Sequence, residues 1–194
     1  MSIEEYSVSV VDPVGGRMQV RRVEPAEFAA VGELALDAYR ADGLVTDSDE
    51  DNYPRRLRDT AARDAEAEVL VAVGDSGQVL GTVTWCPPGS TWRELATRAD
   101  QAEFRMLAVP PSGRGRGVAG ALVDACLARA RAEGMGEMLL SSKPEMRAAH
   151  ALYLARGFVR APEYDHRPVP SVQLWAFRLE LSPVVRCEPE GIGG

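Results

Sequence analysis

The sequence predicts a mixed α/β (α+β) domain built on a largely antiparallel sheet of about seven strands with helices on both faces. Three observations lead there. Apolar runs of strand length and amphipathic helical segments follow one another in the order β-α-α-β-β-β-α-β-α-β-β. Strands adjacent in sequence are joined by turn signals such as Gly74-Asp-Ser-Gly77, as antiparallel hairpins require. No internal repeat or linker divides the chain, so one domain is expected over 17–182, between a flexible lead-in at 1–16 and a flexible tail at 183–194.

The elements follow in order. Met18 to Val23 can form a strand, after Pro13, Gly15 and Gly16. Pro25 sits at a first helical turn, with Phe28, Val31, Leu34, Ala35 and Ala38 at helical spacing behind it. A more polar helix is expected over about Glu50 to Glu66, with Pro54 near its start. Val69 to Val73 and Val79 to Trp85 read as a hairpin, and residues 87 to 101 as a long polar loop carrying Trp92. Glu103 to Val109 is a strand that ends at Pro110-Pro111. A helix then runs from about Gly117 to Glu133, burying Val118, Leu122, Val123, Cys126, Leu127 and Ala130. Met138 to Ser141 is a strand, Pro144 to Gly157 a helix, and Phe158 to Arg160 another strand. A Pro-rich loop at 161–170 precedes a last strand from Val172 to Leu181.

Composition narrows the function. The 194 residues suit one core, and 45% hydrophobic with 26% charged residues is the balance of a globular chain. A formal net charge of −7 argues against non-specific binding to nucleic acid or anionic lipid. Basic side chains are nearly all arginine, Lys143 being the single lysine. Cys86, Cys126 and Cys187 are too few and too scattered for a disulfide framework or a zinc site, so no metal is expected. No apolar run approaches the ~20 residues of a membrane span. Glu4, Glu5 and Asp12 stand where a secretory signal would be basic, so a cytoplasmic location is expected.

The sharpest local feature is Ser112-Gly-Arg-Gly-Arg-Gly-Val-Ala-Gly120, between a strand and a helix. Glycines admit a close ligand, and a helix N-terminus offers unpaired N–H groups and the positive end of a dipole. Together they make a site suited to a pyrophosphate, with Arg114 and Arg116 at its rim. Gly115-x-Gly117-x-x-Gly120 also satisfies the dinucleotide-binding pattern. Context opposes that reading: Pro110-Pro-Ser112 separate strand from glycine, and Ser141-Ser142-Lys143 stands where an acidic residue is needed.

The run Arg114-Gly-Arg-Gly117-Val-Ala119, after the strand Met106-Leu-Ala-Val-Pro110, resembles the acyl-CoA-binding signature of the GCN5-related N-acetyltransferase (GNAT) superfamily. Ala148-Ala-His-Ala-Leu-Tyr-Leu-Ala-Arg-Gly-Phe158 resembles its second signature, and Arg21-Arg22-Val-Glu-Pro-Ala-Glu-Phe28 its opening strand and helix. The resemblance covers roughly residues 18 to 181. It implies acetyl-CoA as cosubstrate and an amine as acceptor, a small metabolite ahead of a protein N-terminus or lysine, an antibiotic or a polyamine. Leu107, Ala108 and Val109 would run along the pantetheine arm where two strands splay apart, and amides of Arg114, Gly115, Arg116, Gly117, Val118 and Ala119 would hold the pyrophosphate.

The resemblance also implies roles. Tyr153 matches the tyrosine that protonates the leaving thiolate in many members. Glu103 is the candidate general base, and simple alternation puts it on the same side as Arg105, Leu107 and Val109. Met146 stands where many members have an asparagine that bonds the pantetheine, which methionine cannot do. His150 and His166 are secondary candidates for the base. Tyr39, Tyr53, Trp92, Tyr164 and His166 are expected to line the acceptor site, and the final strands to offer an edge for a homodimer. The rival expectation is a catalytically silent acyl-CoA-binding module or sensor, which keeps the pyrophosphate site but needs neither Tyr153 nor Glu103.

Overall fold

The computed structural model describes residues 8–11, 16–45 and 52–181. They contain nine strands: β1 (Val8–Val11), β2 (Arg17–Arg22), β3 (Glu68–Gly74), β4 (Val79–Cys86), β5 (Gln101–Ala108), β6 (Glu137–Ser142), β7 (Val159–Arg160), β8 (His166–Val169) and β9 (Val172–Glu180). Five helices accompany them: α1 (Phe28–Ala41), α2 (Tyr53–Arg58), α3 (Thr60–Glu66), α4 (Val118–Ala132) and α5 (Arg147–Leu154). The sheet order is β1-β2-β3-β4-β5-β6-β9-β7, with β8 paired to β9 off that path. Every pairing is antiparallel except β5 with β6.

Two short strands therefore join the seven expected. β1 lies in the stretch read as a lead-in and pairs with β2, and β8 lies in the Pro-rich loop and pairs with β9. The tail at 183–194, with Cys187, lies outside the described residues. So do Glu50 and Asp51, at the start of the expected second helix. The rest of that helix is two, because Asp59 interrupts it. Its carboxylate accepts the Ala62 N–H at 3.0 Å and so begins α3 as an N-cap.

Both faces of the sheet are covered, and β3 shows it most plainly, with all seven residues buried. Leu70 and Ala72 join the core under α4 and α5, with Val83, Trp85, Phe104, Leu122 and Phe158. Val69, Val71 and Val73 pack on the other side with Val23 and Val31 of the α1 layer. Cys126 is one of the α4 core residues, and burial pushes its thiol up to about 12, so it is a packing group at neutral pH. Arg63 is buried completely and donates to the Thr84 and Thr60 hydroxyls and the Leu57 carbonyl at 2.9–3.1 Å. It ties α2 and α3 to β4.

Gly32 sets the distance between α1 and α2: a Cβ there would overlap the Arg58 carbonyl. Gly32→Ala gains helix propensity worth up to ~1 kcal/mol but forces backbone apart, at a cost of about 1–3 kcal/mol. The urea midpoint of this variant is expected to fall with an unchanged slope. A midpoint equal to or above the parent's would show that the two helices can separate freely.

Candidate active site

The site begins with an irregularity in β5. Thr82 pairs with Ala108 and Thr84 with Arg105, so three residues of β5 span two of β4. The extra residue is accommodated at Met106, whose φ of 53° is left-handed. Before this bulge, Ala102 and Phe104 face the α4 core; after it, Met106 and Ala108 face the α1 side. Leu107 and Val109 consequently pack against the α4 core. Glu103 and Arg105 do not share a face with Leu107 and Val109, as unbroken alternation would have it. The bulge reverses the strand between them.

β5 and β6 pair only from Gln101–Glu137 to Glu103–Leu139, then separate. On the α4 face, this split continues into a groove lined by Leu107, Val109 and the whole run from Gly113 to Ala121. Eight of the nine expected cosubstrate residues line it. Ala108 is the exception, because its side chain is buried on the α1 side. Gly115 and Gly117 both have positive φ, 73° and 75°, and Gly117 is the N-cap of α4. Such alternation turns successive N–H groups inward at a helix N-terminus, which favours an anion. Arg114 is engaged elsewhere, donating to both Asp42 oxygens at 2.8 and 2.9 Å, and Arg156 is held by Asp124 at 2.6 Å. Arg116 and Arg147 also line the groove and add to the positive potential of its backbone.

On the α1 face, the same split opens into a second cavity, walled by α1, α2, the 87–100 loop and the β8–β9 hairpin. Leu44, Leu107 and Met146 line both spaces, so groove and cavity meet through the sheet. Tyr153 lies on the cavity side of this junction, 3% exposed, its ring against Phe104, Phe158 and Phe177 at 5.8–6.1 Å. Burial raises the pKa of its hydroxyl, which therefore keeps its proton throughout the neutral range. Tyr39 and Tyr53, hydrogen-bonded to each other, are raised for the same first reason.

A family model described as "Acetyltransferase (GNAT) family" matches residues 28–158. The chain belongs to the GNAT acetyltransferase family. No curated protein matches its sequence. Among solved structures, yncA from Salmonella typhimurium with acetyl-CoA is 23% identical, with a TM-score of 0.62 over 87% of this chain and 96% of that one. The GNAT domain of S. lividans PAT is 21% identical, with a TM-score of 0.64 over 92% and 100%. A GNAT-family acetyltransferase from Staphylococcus aureus Mu50 is 11% identical, with a TM-score of 0.66 over 85% and 99%. No helix among the described residues is long and apolar enough to cross a membrane, and none of their side-chain groups forms a metal cluster.

In this GNAT chain, Glu103 is fully buried and does not line the cavity. Its carboxylate accepts the N–H groups of Glu94, Leu95 and Ala96 at 2.9–3.2 Å. It holds the preceding loop in shape. Among the described residues, the carboxylate that does line the cavity is that of Glu94, two residues beyond Trp92, which no sequence motif singles out. Glu94 is 2.5 Å from an Arg105 nitrogen and 3.5 Å from His166 Nε2. Burial works against the Arg105 charge, but Glu94, Tyr53 and Glu103 outweigh it and hold the guanidinium above its ordinary range.

The other expected residues divide. Tyr39 and Tyr53 line the cavity, and Trp92 packs beside them under the Arg56 guanidinium, 5.1 Å away. His166 stands behind Glu94, while Tyr164 packs into the cluster around Leu139. His150 lies under Trp175 and Phe177 with Nε2 3.2 Å from Ser142 Oγ, and burial lowers its pKa.

Removing the Glu103 carboxylate strands three loop N–H groups, with a charged acceptor worth about 1.5–3 kcal/mol lost. Glu103→Ala is accordingly expected to lower the thermal midpoint by several degrees, read by circular dichroism. An unchanged midpoint with activity lost would return Glu103 to a chemical role.

Proposed function

We propose that this protein transfers the acetyl group of acetyl-CoA to a primary amine of a small molecule by direct attack. The observation that carries the reading is the junction at Leu44, Leu107 and Met146, where a groove on one face of the sheet meets a cavity on the other. Two substrates entering from opposite faces would meet there without a covalent enzyme intermediate.

The groove suits the donor. Gly115 and Gly117 aim backbone N–H groups at a pyrophosphate, and a Cβ built at Gly115 meets nothing within 4 Å, so the space beside it is open. Beyond the bulge, Leu107 and Val109 have no β6 partner, which leaves their backbone groups to the pantetheine arm and to the oxyanion of the attacked thioester. Met146 offers only sulfur, which lies 3.4 Å from the Ser142 hydroxyl.

The cavity suits the acceptor. Glu94, more than Glu103, is placed to take the proton of an arriving ammonium, since only the neutral amine attacks. Arg105 fixes its orientation and His166 stands behind it. Tyr153 then protonates the departing thiolate, a role its raised pKa permits because the hydroxyl reaches the reaction with its proton.

Calorimetric titration with acetyl-CoA, with NADPH as control, is expected to show binding of the first alone. Heat from NADPH alone would overturn the assignment of the groove. Binding without release of CoA to any amine would mark a silent module. Gly115→Val loses its easy positive φ and fills the groove, so acetyl-CoA affinity is expected to fall about tenfold or more.

Tyr153→Phe is expected to lower kcat by about a hundredfold at unchanged acetyl-CoA affinity. Equal turnover would remove its role. Glu94→Gln is expected to lower kcat/KM most at low pH, where the acceptor arrives protonated, and least above the amine's own pKa. A pH–rate profile parallel to the parent's would exclude Glu94 as proton acceptor.

A further inference from the structure

Among the described residues, the charges that line the acceptor cavity do not balance. Arg56, Arg105 and Lys143 line it, against the one described carboxylate of Glu94. Glu94 and Arg105 neutralise each other at 2.5 Å. Arg56 lies over the Trp92 ring and has no carboxylate partner among the described residues. The only lysine of the sequence, Lys143, directs its ammonium at the Leu44 carbonyl, 2.5 Å away, which satisfies a hydrogen bond and leaves the charge. Two half-buried cations therefore face a space whose remaining walls are largely tyrosine and aliphatic.

Uncompensated cations in a partly enclosed site attract an anion and repel a further cation more strongly than they would in bulk water. From this we infer that the acceptor is an amine that itself carries a carboxylate, in the manner of a free amino acid. Arg56, whose guanidinium lies over the Trp92 ring at 5.1 Å, binds the carboxylate through a fork of N–H groups that matches two oxygens. The apolar wall of Leu44, Val45, Val172 and Leu174 accepts the side chain. A polyamine would bring more positive charge to a cavity already in excess. A peptide N-terminus carries no carboxylate beside its amine.

The inference rests on the acetyl-transfer reading, and one panel separates the two. Release of CoA would be followed with leucine, methionine and phenylalanine, their carboxamides, spermidine and a neutral tripeptide. The free amino acids are expected to exceed their amides in kcat/KM by about tenfold or more, the usual worth of a charge-assisted contact. In Arg56→Gln, KM for the amino acid rises by a similar factor and the preference over the amide collapses. Acetyl-CoA binding by calorimetry verifies that the variant is folded, since Arg56 is remote from the donor groove. Amides, spermidine or the tripeptide matching or exceeding the amino acids would overturn the carboxylate and leave acetyl transfer standing. An undiminished preference in Arg56→Gln would do the same. Acetyl-CoA binding with no CoA released to any amine would overturn both.

Discussion

A single extra residue in β5 organises this molecule. An L-residue in the left-handed region costs roughly 1–2 kcal/mol, and Met106 holds φ at 53° in the middle of a buried strand. The surrounding packing holds it there. Met106 reaches the α1 layer with Ala35, Leu36 and Leu57, while Leu107 is turned to the α4 layer. Without the bulge, Leu107 and Val109 would face α1. The groove before α4 would then lose the strand that forms its floor. Separation of β5 from β6 depends on the same local geometry, because a strand reversed on its axis cannot keep the register it shares with its parallel neighbour below Glu103.

The first three residues of β5 have a different task. Gln101 accepts the Thr97 and Arg98 N–H groups at 2.9 Å, and Glu103 accepts those of Glu94, Leu95 and Ala96. A long loop at 87–100 thereby becomes a wall. Its backbone donors are satisfied by side chains of the strand it precedes, an arrangement that a surface loop otherwise leaves to water. Trp92 and Glu94 inherit their positions from these bonds, and Arg105 adds a third tie by donating to the Trp92 carbonyl at 2.9 Å. Residues 101 to 105 thus shape the cavity, and 107 to 109 shape the groove.

Much of this was readable in the chain and some was not. The glycine run, the helix that follows it and the Ala-Tyr-Gly-Phe pattern around Tyr153 are local, so the sequence places them without knowing the fold. Tyr153 lines the cavity. Glu103 was placed on the right strand but given the wrong neighbours, because alternation was carried through Met106. Nothing about methionine announces a left-handed residue, whereas a glycine there would have done. Glu94 was missed because its place is fixed by another residue's carboxylate seven to nine positions away in the chain. The break between α2 and α3 had a signal, since Asp59-Thr60 is a good N-cap pair inside a run otherwise rich in helix formers.

The two openings also differ in how they treat charge. In the groove, Arg114 and Arg156 are each held by an aspartate, so attraction for an anion rests on the backbone N–H groups at Gly115 and Gly117 together with Arg116 and Arg147. Those dipoles are directional and remain set whatever occupies the site. In the acceptor cavity, the backbone is tied up by Glu103 and Gln101, and charge is carried by side chains at its margin. Arg56 and Lys143 belong to α2 and to the turn after β6, so a substitution at either changes the cavity's charge without touching a strand of the sheet. On the proposed reading, a split between strands gives the donor a site built on the backbone and the acceptor a site built on side chains.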